Sequence, residues 1–245
     1  MRRFSANYIY TNNGEPIRNG IVEVNDNGVI TALIDQGDNT HELSSTEYYN
    51  GVIIPGFINC HCHTELSGLH KIIENNLGLA KFIGKVRESK DLISSKTDTI
   101  NEAVKKLEQQ GCVAVADICN TPISFEAKKH SNIQFINLIE VFGTEASKAK
   151  PIIENSLQIK NSSQIIKNDL AFISPHSTYS LSSKLWEMVS QNIDENSIVS
   201  IHFAESKEER EFAVNRTGDI AKIYSEWDVQ FNSIPSGEPL DIAIR

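Results

Sequence analysis

The sequence predicts an α/β fold: a small N-terminal β module, sandwich-like, followed by an incomplete (β/α)8 barrel of the TIM type. Three observations lead to it. From Gly51 onward, short apolar runs alternate with helical segments, the pattern of βαβ units on a parallel sheet. Histidine-bearing polar clusters follow the ends of several of these runs, and barrel enzymes gather their working residues at the C-terminal ends of strands. Before Gly51 the chain reads instead as short strands joined by turns.

In chain order, residues 4–10 read as a strand. Residues 20–24 and 29–34 read as a hairpin closed around Asn25-Asp26-Asn27-Gly28, whose side chains tolerate turn geometry. These make up the β module, residues 1–50, and the barrel portion is residues 51–245. The barrel opens with the apolar strand 52–59. A helix over 98–110 stops at Gly111. Residues 113–118 form a buried strand, and residues 133–142 another after a short helix near Phe125, with Asn137 interrupting the run. A helix fills much of 151–167, residues 170–173 are a strand, and 182–192 a helix capped by serine. Residues 198–204 read as a fifth strand and 207–214 as the start of a helix. A closed barrel needs about eight strands. The expectation is therefore a fragment of a longer barrel.

With 245 residues and 40% hydrophobic content, the chain can bury a sizeable core. A formal net charge of -9 argues against a nucleic-acid or anionic-membrane partner. No run approaches the length of a membrane span, and no secretory h-region follows Met1. The expected setting is the cytoplasm, where Cys60, Cys62, Cys112 and Cys119 stay reduced. The expected partners are a small-molecule substrate and, in a homodimer, a second copy of the chain.

The strongest local signal is Asn59-Cys60-His61-Cys62-His63-Thr64-Glu65. Side chains on a strand alternate faces, so His61 and His63 point one way and the two cysteines the other. Two imidazoles on one face at a strand end suit a divalent metal; a pair of histidines holding no ion is the competing reading. Cys60 and Cys62 are read as packing residues by this parity, Cys112 as core, and Cys119 as nearer the rim. In Ser200-Ile201-His202-Phe203-Ala204-Glu205 the strand again ends in histidine. Glu205 then follows where it can face the same cavity and act as general base and acid beside an activated water. Its bland alternative is a first-turn helix residue favoured by the macrodipole.

Ile173-Ser174-Pro175-His176-Ser177-Thr178-Tyr179 is a third strand exit, where His176 can orient substrate, ligate metal or hold the loop. Asp117, ending the second strand, and Glu140, late in the third, can each bond a polar substrate or cap a turn. His41, His70 and His130 are expected at the surface, Leu181, Leu185, Trp186 and Val189 in the core. The run Lys207-Glu208-Glu209-Arg210-Glu211 is expected as a solvated helix face.

Taken together, Pro55-Gly56-Phe57-Ile58-Asn59-Cys60-His61-Cys62-His63-Thr64-Glu65-Leu66-Ser67 resembles the first-strand motif of the amidohydrolase superfamily. Its chlorohydrolase and nucleobase- or nucleoside-deaminase branch resembles it most. Ser174-Pro175-His176-Ser177-Thr178-Tyr179-Ser180 and Ile201-His202-Phe203-Ala204-Glu205-Ser206 resemble that branch's fourth- and fifth-strand motifs. The resemblance implies that His61, His63 and His202 hold one divalent metal, Zn2+ rather than Fe2+. It implies that Glu205 shuttles a proton and that His176 contacts substrate, with Glu140 and Asp117 as further candidate substrate contacts. Isoleucine, serine and proline stand where binuclear members carry a lysine, which favours a single ion. The implied activity is hydrolytic deamination of an aminated heterocycle or purine nucleoside-like compound. Cyclic-amide hydrolysis, dechlorination and a catalytically incomplete metal-binding fragment are the alternatives. The sixth-strand histidine and eighth-strand aspartate of the superfamily have no counterpart here.

Overall fold

The computed structural model describes residues 1–37, 43–95, 97–167 and 170–244; His41 lies outside the described residues. Two compact units divide between Phe57 and Ile58.

The first unit is a five-stranded sheet of β1 (Arg2–Ile9), β2 (Ile17–Arg18), β3 (Ile21–Val24), β4 (Ile30–Ile34) and β5 (Thr46–Ile53). The expected hairpin is β3–β4, with Ile21 opposite Ile34. Its turn is held by the Asn25 side chain, whose Oδ1 accepts from the amides of Asn27 and Val29, both at 3.0 Å. Gly28 completes the turn at φ +79°, where a Cβ would be strained. The sheet runs past residue 50, because β5 lies parallel to β1 with Phe4 opposite Glu47. The boundary expected at residue 50 thus falls inside β5. The single strand expected over 52–59 is two: the end of β5 and the start of the next strand, parted by Pro55 and Gly56, which have no ladder conformation.

The second unit is mixed α/β. Its strands are β6 (Phe57–Cys62), β7 (Cys112–Cys119), β8 (Gln134–Val141) and β9 (Leu170–Pro175), hydrogen-bonded in that order. β7, β8 and β9 are parallel, with Asp117 opposite Asn137 and Glu140 opposite Ser174. The helices are α1 (Leu79–Glu88), α2 (Lys90–Ser95), α3 (Thr97–Gln109), α4 (Phe125–Lys129), α5 (Ala149–Lys167), α6 (Ser183–Ser190), α7 (Lys207–Asn215), α8 (Gly218–Glu226) and α9 (Pro239–Ala243). A 3-10 turn, Thr64–Leu69, follows β6. Ser182 caps α6 by accepting from the Leu185 amide, as the serine signal predicts.

Period-two alternation gives the sheet two different faces. Val115 and Phe135 point to α3 and α4, packing with Val104 and Ile133. Cys119, Ile139, Val141 and Ile173 point to α5 and α6, packing with Ile153, Leu185 and Val189. Each such fully buried aliphatic contributes about 1.5–3 kcal/mol. Ala116, Ile118 and Leu138 occupy the opposite face. Cys62 packs on the helix side with Val104 and Leu107, so His61 and His63 face the other way. Cys60, expected to pack, is exposed instead; Cys119, expected near the rim, is fully buried.

The expected fifth strand, 198–204, forms no ladder: among the described residues it makes one bridge, Ser177 to His202, and it turns at Ala204, φ +52°. Pro175 has no N–H to extend a ladder. The Ser174 hydroxyl takes the place of main chain, accepting from the Ser200 amide at 2.9 Å and donating to the Ser200 carbonyl. The four described strands of this unit form an open sheet; no closed barrel is present among the described residues.

Candidate metal centre

His61 and His63 reach the site from β6, on the face opposite Cys62. His202 arrives from the segment 198–204, placed by its amide bonding to the His176 carbonyl at 2.8 Å. The three rings converge, with centroids 5.0 Å apart for His61–His63, 4.7 Å for His61–His202 and 5.2 Å for His63–His202. One ring nitrogen from each lies within 4.8 Å of the other two. The Nε2 atoms of His61 and His63 are 3.1 Å apart. Two nitrogens on one tetrahedral zinc at about 2.0–2.1 Å sit about 3.3 Å from each other. The donor set therefore fits a shared ion.

Electrostatics favours the same use. Burial pushes the His63 imidazole down to about 4, and the nearby His202 adds to that effect. Burial lowers His61 too, so both rings stay neutral with a lone pair free at ordinary pH. Ser200 Oγ lies 2.9 Å from His61 Nδ1 and fixes that ring. His202 differs. Its Nδ1 meets Glu205 Oε1 at 2.8 Å. That hydrogen bond raises the His202 pKa and lowers that of Glu205. Glu205 thereby orients the ring through Nδ1 and leaves Nε2, 3.7 Å from Glu140 Oε1, as the nitrogen open to an ion, the role carboxylates play behind metal-binding imidazoles.

Glu205 follows Ala204, whose φ of +52° is left-handed, uncommon for a residue with a Cβ. That turn swings Glu205 back onto His202.

His176 stands beside this group, its ring centroid 5.1 Å from that of His202. Burial pushes it down to about 3, and its Nδ1 pairs with Ser180 Oγ at 2.7 Å. Glu140 lies on the same sheet face, 9% exposed, with Oε1 3.7 Å from His202 Nε2. Asn120 Nδ2 donates to its other oxygen at 3.0 Å, and burial raises its pKa.

Asp117 does not join them. It shares parity with Val115 and Cys119 and points to the helix side, 0% exposed. Its oxygens accept from the Thr64 amide (2.8 Å) and hydroxyl, and pair with Lys128 of α4. The expectation of Asp117 as a substrate contact is not met in this geometry: the side chain is fully buried and its oxygens are engaged by Thr64 and Lys128. It anchors the residue that follows His63.

Sequence reasoning missed several residues. Glu65, 3% exposed, accepts from the amides of Asn120 and Thr121, setting the loop from which Asn120 reaches Glu140. Glu209, assigned to a solvated helix face, is 0% exposed. The spacing Ser206-x-x-Glu209, a capping-box signature, was the available signal for it. Ser200, two residues before His202, was legible by parity alone. His70 and His130 lie at the surface as expected.

Residues 52–227, which contain all of these site residues, match the amidohydrolase family. The chain belongs to that family. Within it, an aminodeoxyfutalosine deaminase of a Nitratiruptor species is 24% identical over 184 residues, 73% of this chain and 45% of that protein. An adenosine deaminase of Helicobacter pylori is 26% identical over 201 residues, 80% of this chain and 48% of that protein. This amidohydrolase chain spans about half the length of the curated relatives it matches. Among solved structures, Helicobacter pylori aminofutalosine deaminase in complex with methylthio-coformycin matches with a TM-score of 0.81 at 22% identity, over 99% of this chain and 61% of that one. A Xanthomonas campestris adenosine deaminase with bound zinc matches at 0.60 and 14% identity, over 93% of this chain and 55% of that one. These structural likenesses speak to the fold. No described helix is long and apolar enough to cross a membrane.

Proposed function

We propose that this amidohydrolase chain carries the metal-binding and proton-transfer groups of a hydrolytic deaminase acting on an aminated heterocycle, with a purine nucleoside-like compound as the favoured substrate. The observation that carries the reading is the convergence of His61, His63 and His202, with Glu205 bonded to the third ring. The deaminase relatives support the substrate class, and the zinc-bound neighbour of the same fold favours Zn2+ over Fe2+. The open sheet is read as part of a (β/α)8 barrel, because its strands end at the site as barrel strands do.

His61, His63 and His202 would hold the ion. When bound, it supplies Lewis acidity, which makes water a nucleophile near neutral pH. Glu205 acts through its Oε2, which no described residue engages, while Oε1 stays on His202. It takes a proton from the attacking water and returns it to the departing nitrogen, and ammonia leaves. Burial keeps His176 neutral, so its imidazole hydrogen-bonds the heterocycle without adding charge beside the ion. Asn120 and Glu140 supply polar contacts on the same face.

Metal binding without turnover is the competing reading. Zinc stoichiometry by elemental analysis, together with ammonia release from adenosine and other aminopurine nucleosides, separates the two. One zinc per chain with ammonia release supports the deaminase. One zinc with no release from any of the panel supports the second reading and sinks the first.

A further inference from the structure

Glu209 is buried completely, yet no lysine, arginine or histidine pairs with it among the described residues. Both carboxylate oxygens are used as acceptors. Oε1 accepts from the Thr178 hydroxyl at 2.6 Å, and Oε2 from the Glu205 amide at 2.8 Å. Its own amide donates to Ser206 Oγ at 3.2 Å, the serine half of a capping box. In an ordinary capping box the glutamate would return to the amide of the cap residue, Ser206. Here it reaches one residue further, to Glu205, and then across to a different segment.

The two segments it joins carry different parts of the site. Thr178 is two residues beyond His176 and next to Ser177, which bridges to His202. Glu205 follows the left-handed Ala204. A residue in that conformation persists only where its surroundings over-determine it, and the hydrogen bond from the Glu205 amide to Glu209 Oε2 is the contact immediately beyond it. Phe212 and Ala213, one turn further along α7, are fully buried and fix the helix that presents Glu209.

We infer that Glu209 is a positioning residue: it clamps the main chain of Glu205 to the loop carrying His176, and so sets where the proton-handling carboxylate sits. The inference rests on the proton-shuttle reading of Glu205. It adds that the shuttle is placed by a second glutamate that never touches substrate. Glu209→Met is close in shape and removes both acceptors, whereas Glu209→Gln could keep both links, its oxygen accepting from the Glu205 amide and its NH2 donating to the Thr178 hydroxyl oxygen. Thr178→Val is the milder variant, since it removes the cross-link and leaves the Glu205 bond.

The test uses the zinc-loaded full chain. Residue-resolved amide exchange is followed at Glu205 and, as a reference within the same helix, at Ala213. Ammonia release from adenosine is measured in parallel. In Glu209→Met, exchange at Glu205 is expected to rise more than tenfold relative to Ala213, with zinc stoichiometry unchanged. The value of kcat is expected to fall at least tenfold with KM within twofold, and Thr178→Val is expected to show a smaller fall of the same kind. A purely structural glutamate would instead speed exchange at both positions together. Unchanged Glu205 exchange, or a uniform rise across α7, overturns the clamp. So does unchanged kcat in a variant whose Glu205 amide is freed. If the wild-type chain releases no ammonia, the deaminase reading fails on its own, and the exchange pattern still decides whether the clamp exists.

Discussion

The two faces of the second unit's sheet carry similar chemistry and treat it oppositely. On the helix side, Asp117, Asn137 and Cys119 gather round Lys128, with Asn137 Nδ2 left without a hydrogen-bond partner among the described residues. Lys128 Nζ lies 2.5 Å from Asp117, 2.6 Å from Asn137 Oδ1 and 3.1 Å from Cys119 Sγ, and the ion pair has side chains 1% and 0% exposed. On the other face, His61, His63, His202 and Glu140 are brought together without a fixed cation, and burial pushes the pKa of His61, His63 and Glu140 toward their neutral forms. One face neutralises its polar groups within the protein; the other leaves ligand atoms aimed at a common point. A buried ion pair whose lysine is bonded on three sides belongs to the fold. Three imidazoles gathered on one point, two of them held from behind by Ser200 and Glu205, mark a candidate ion site.

Substitutions on the two faces should therefore fail differently. The largest effect is expected from His63→Ala, which removes a ligand whose lone pair is free at neutral pH. Elemental analysis should find the bound ion gone, with the melting temperature of the metal-free protein nearly unchanged. Lys128→Met on the opposite face should do the reverse. It strands a buried carboxylate, at a cost of about 3–5 kcal/mol, visible in denaturant unfolding, and any protein that remains folded should keep its three histidine ligands. If Lys128→Met unfolds like wild type, the helix-side group is not the stabilising cluster described above.

Glu205→Gln comes next. Losing the carboxylate partner of a ligating imidazole should weaken zinc binding by about 10–100-fold. The pH dependence sharpens this. Glu205 raises the His202 pKa, so in wild type the proton displaces the ion as pH falls through that raised value. In Glu205→Gln the His202 pKa drops, and the acid-side loss of zinc should move to lower pH even though affinity at neutral pH is reduced. A shift in the other direction would mean that Glu205 does not act on His202. The smallest effect is expected for Ser200→Ala, which removes the group fixing His61 Nδ1. A loss of about tenfold in zinc affinity, at the low end for an outer-shell partner, should appear in competition titrations with a chelator.

The same contrast explains what was legible in the sequence. His61 and His63 could be placed because two residues on a strand share a face whatever the tertiary structure does. His202 and Glu205 could be placed by motif, although the segment holding them is not the ladder strand expected; Pro175 and the Ser174 side chain prevent it. Asp117 was misassigned because its position near a strand end carries no face information until the register is known. Asp117 opposite Asn137 puts it with the helices. Glu209 was hidden for a related reason. A run of charged residues reads as solvated, and only the three-dimensional approach of Thr178 buries one of its members. The turn of the first unit was readable in full, since Asn25 and Gly28 act locally.

The central claim is that three imidazoles share one ion. X-ray absorption at the zinc edge of the metal-loaded chain tests it most directly. The expected spectrum shows three imidazole nitrogens at about 2.0–2.1 Å, and removing His202 should reduce the count by one. A sulfur shell near about 2.3 Å would place the ion on Cys60 or Cys62 instead, and fewer than three imidazoles in the wild-type protein would contradict the site.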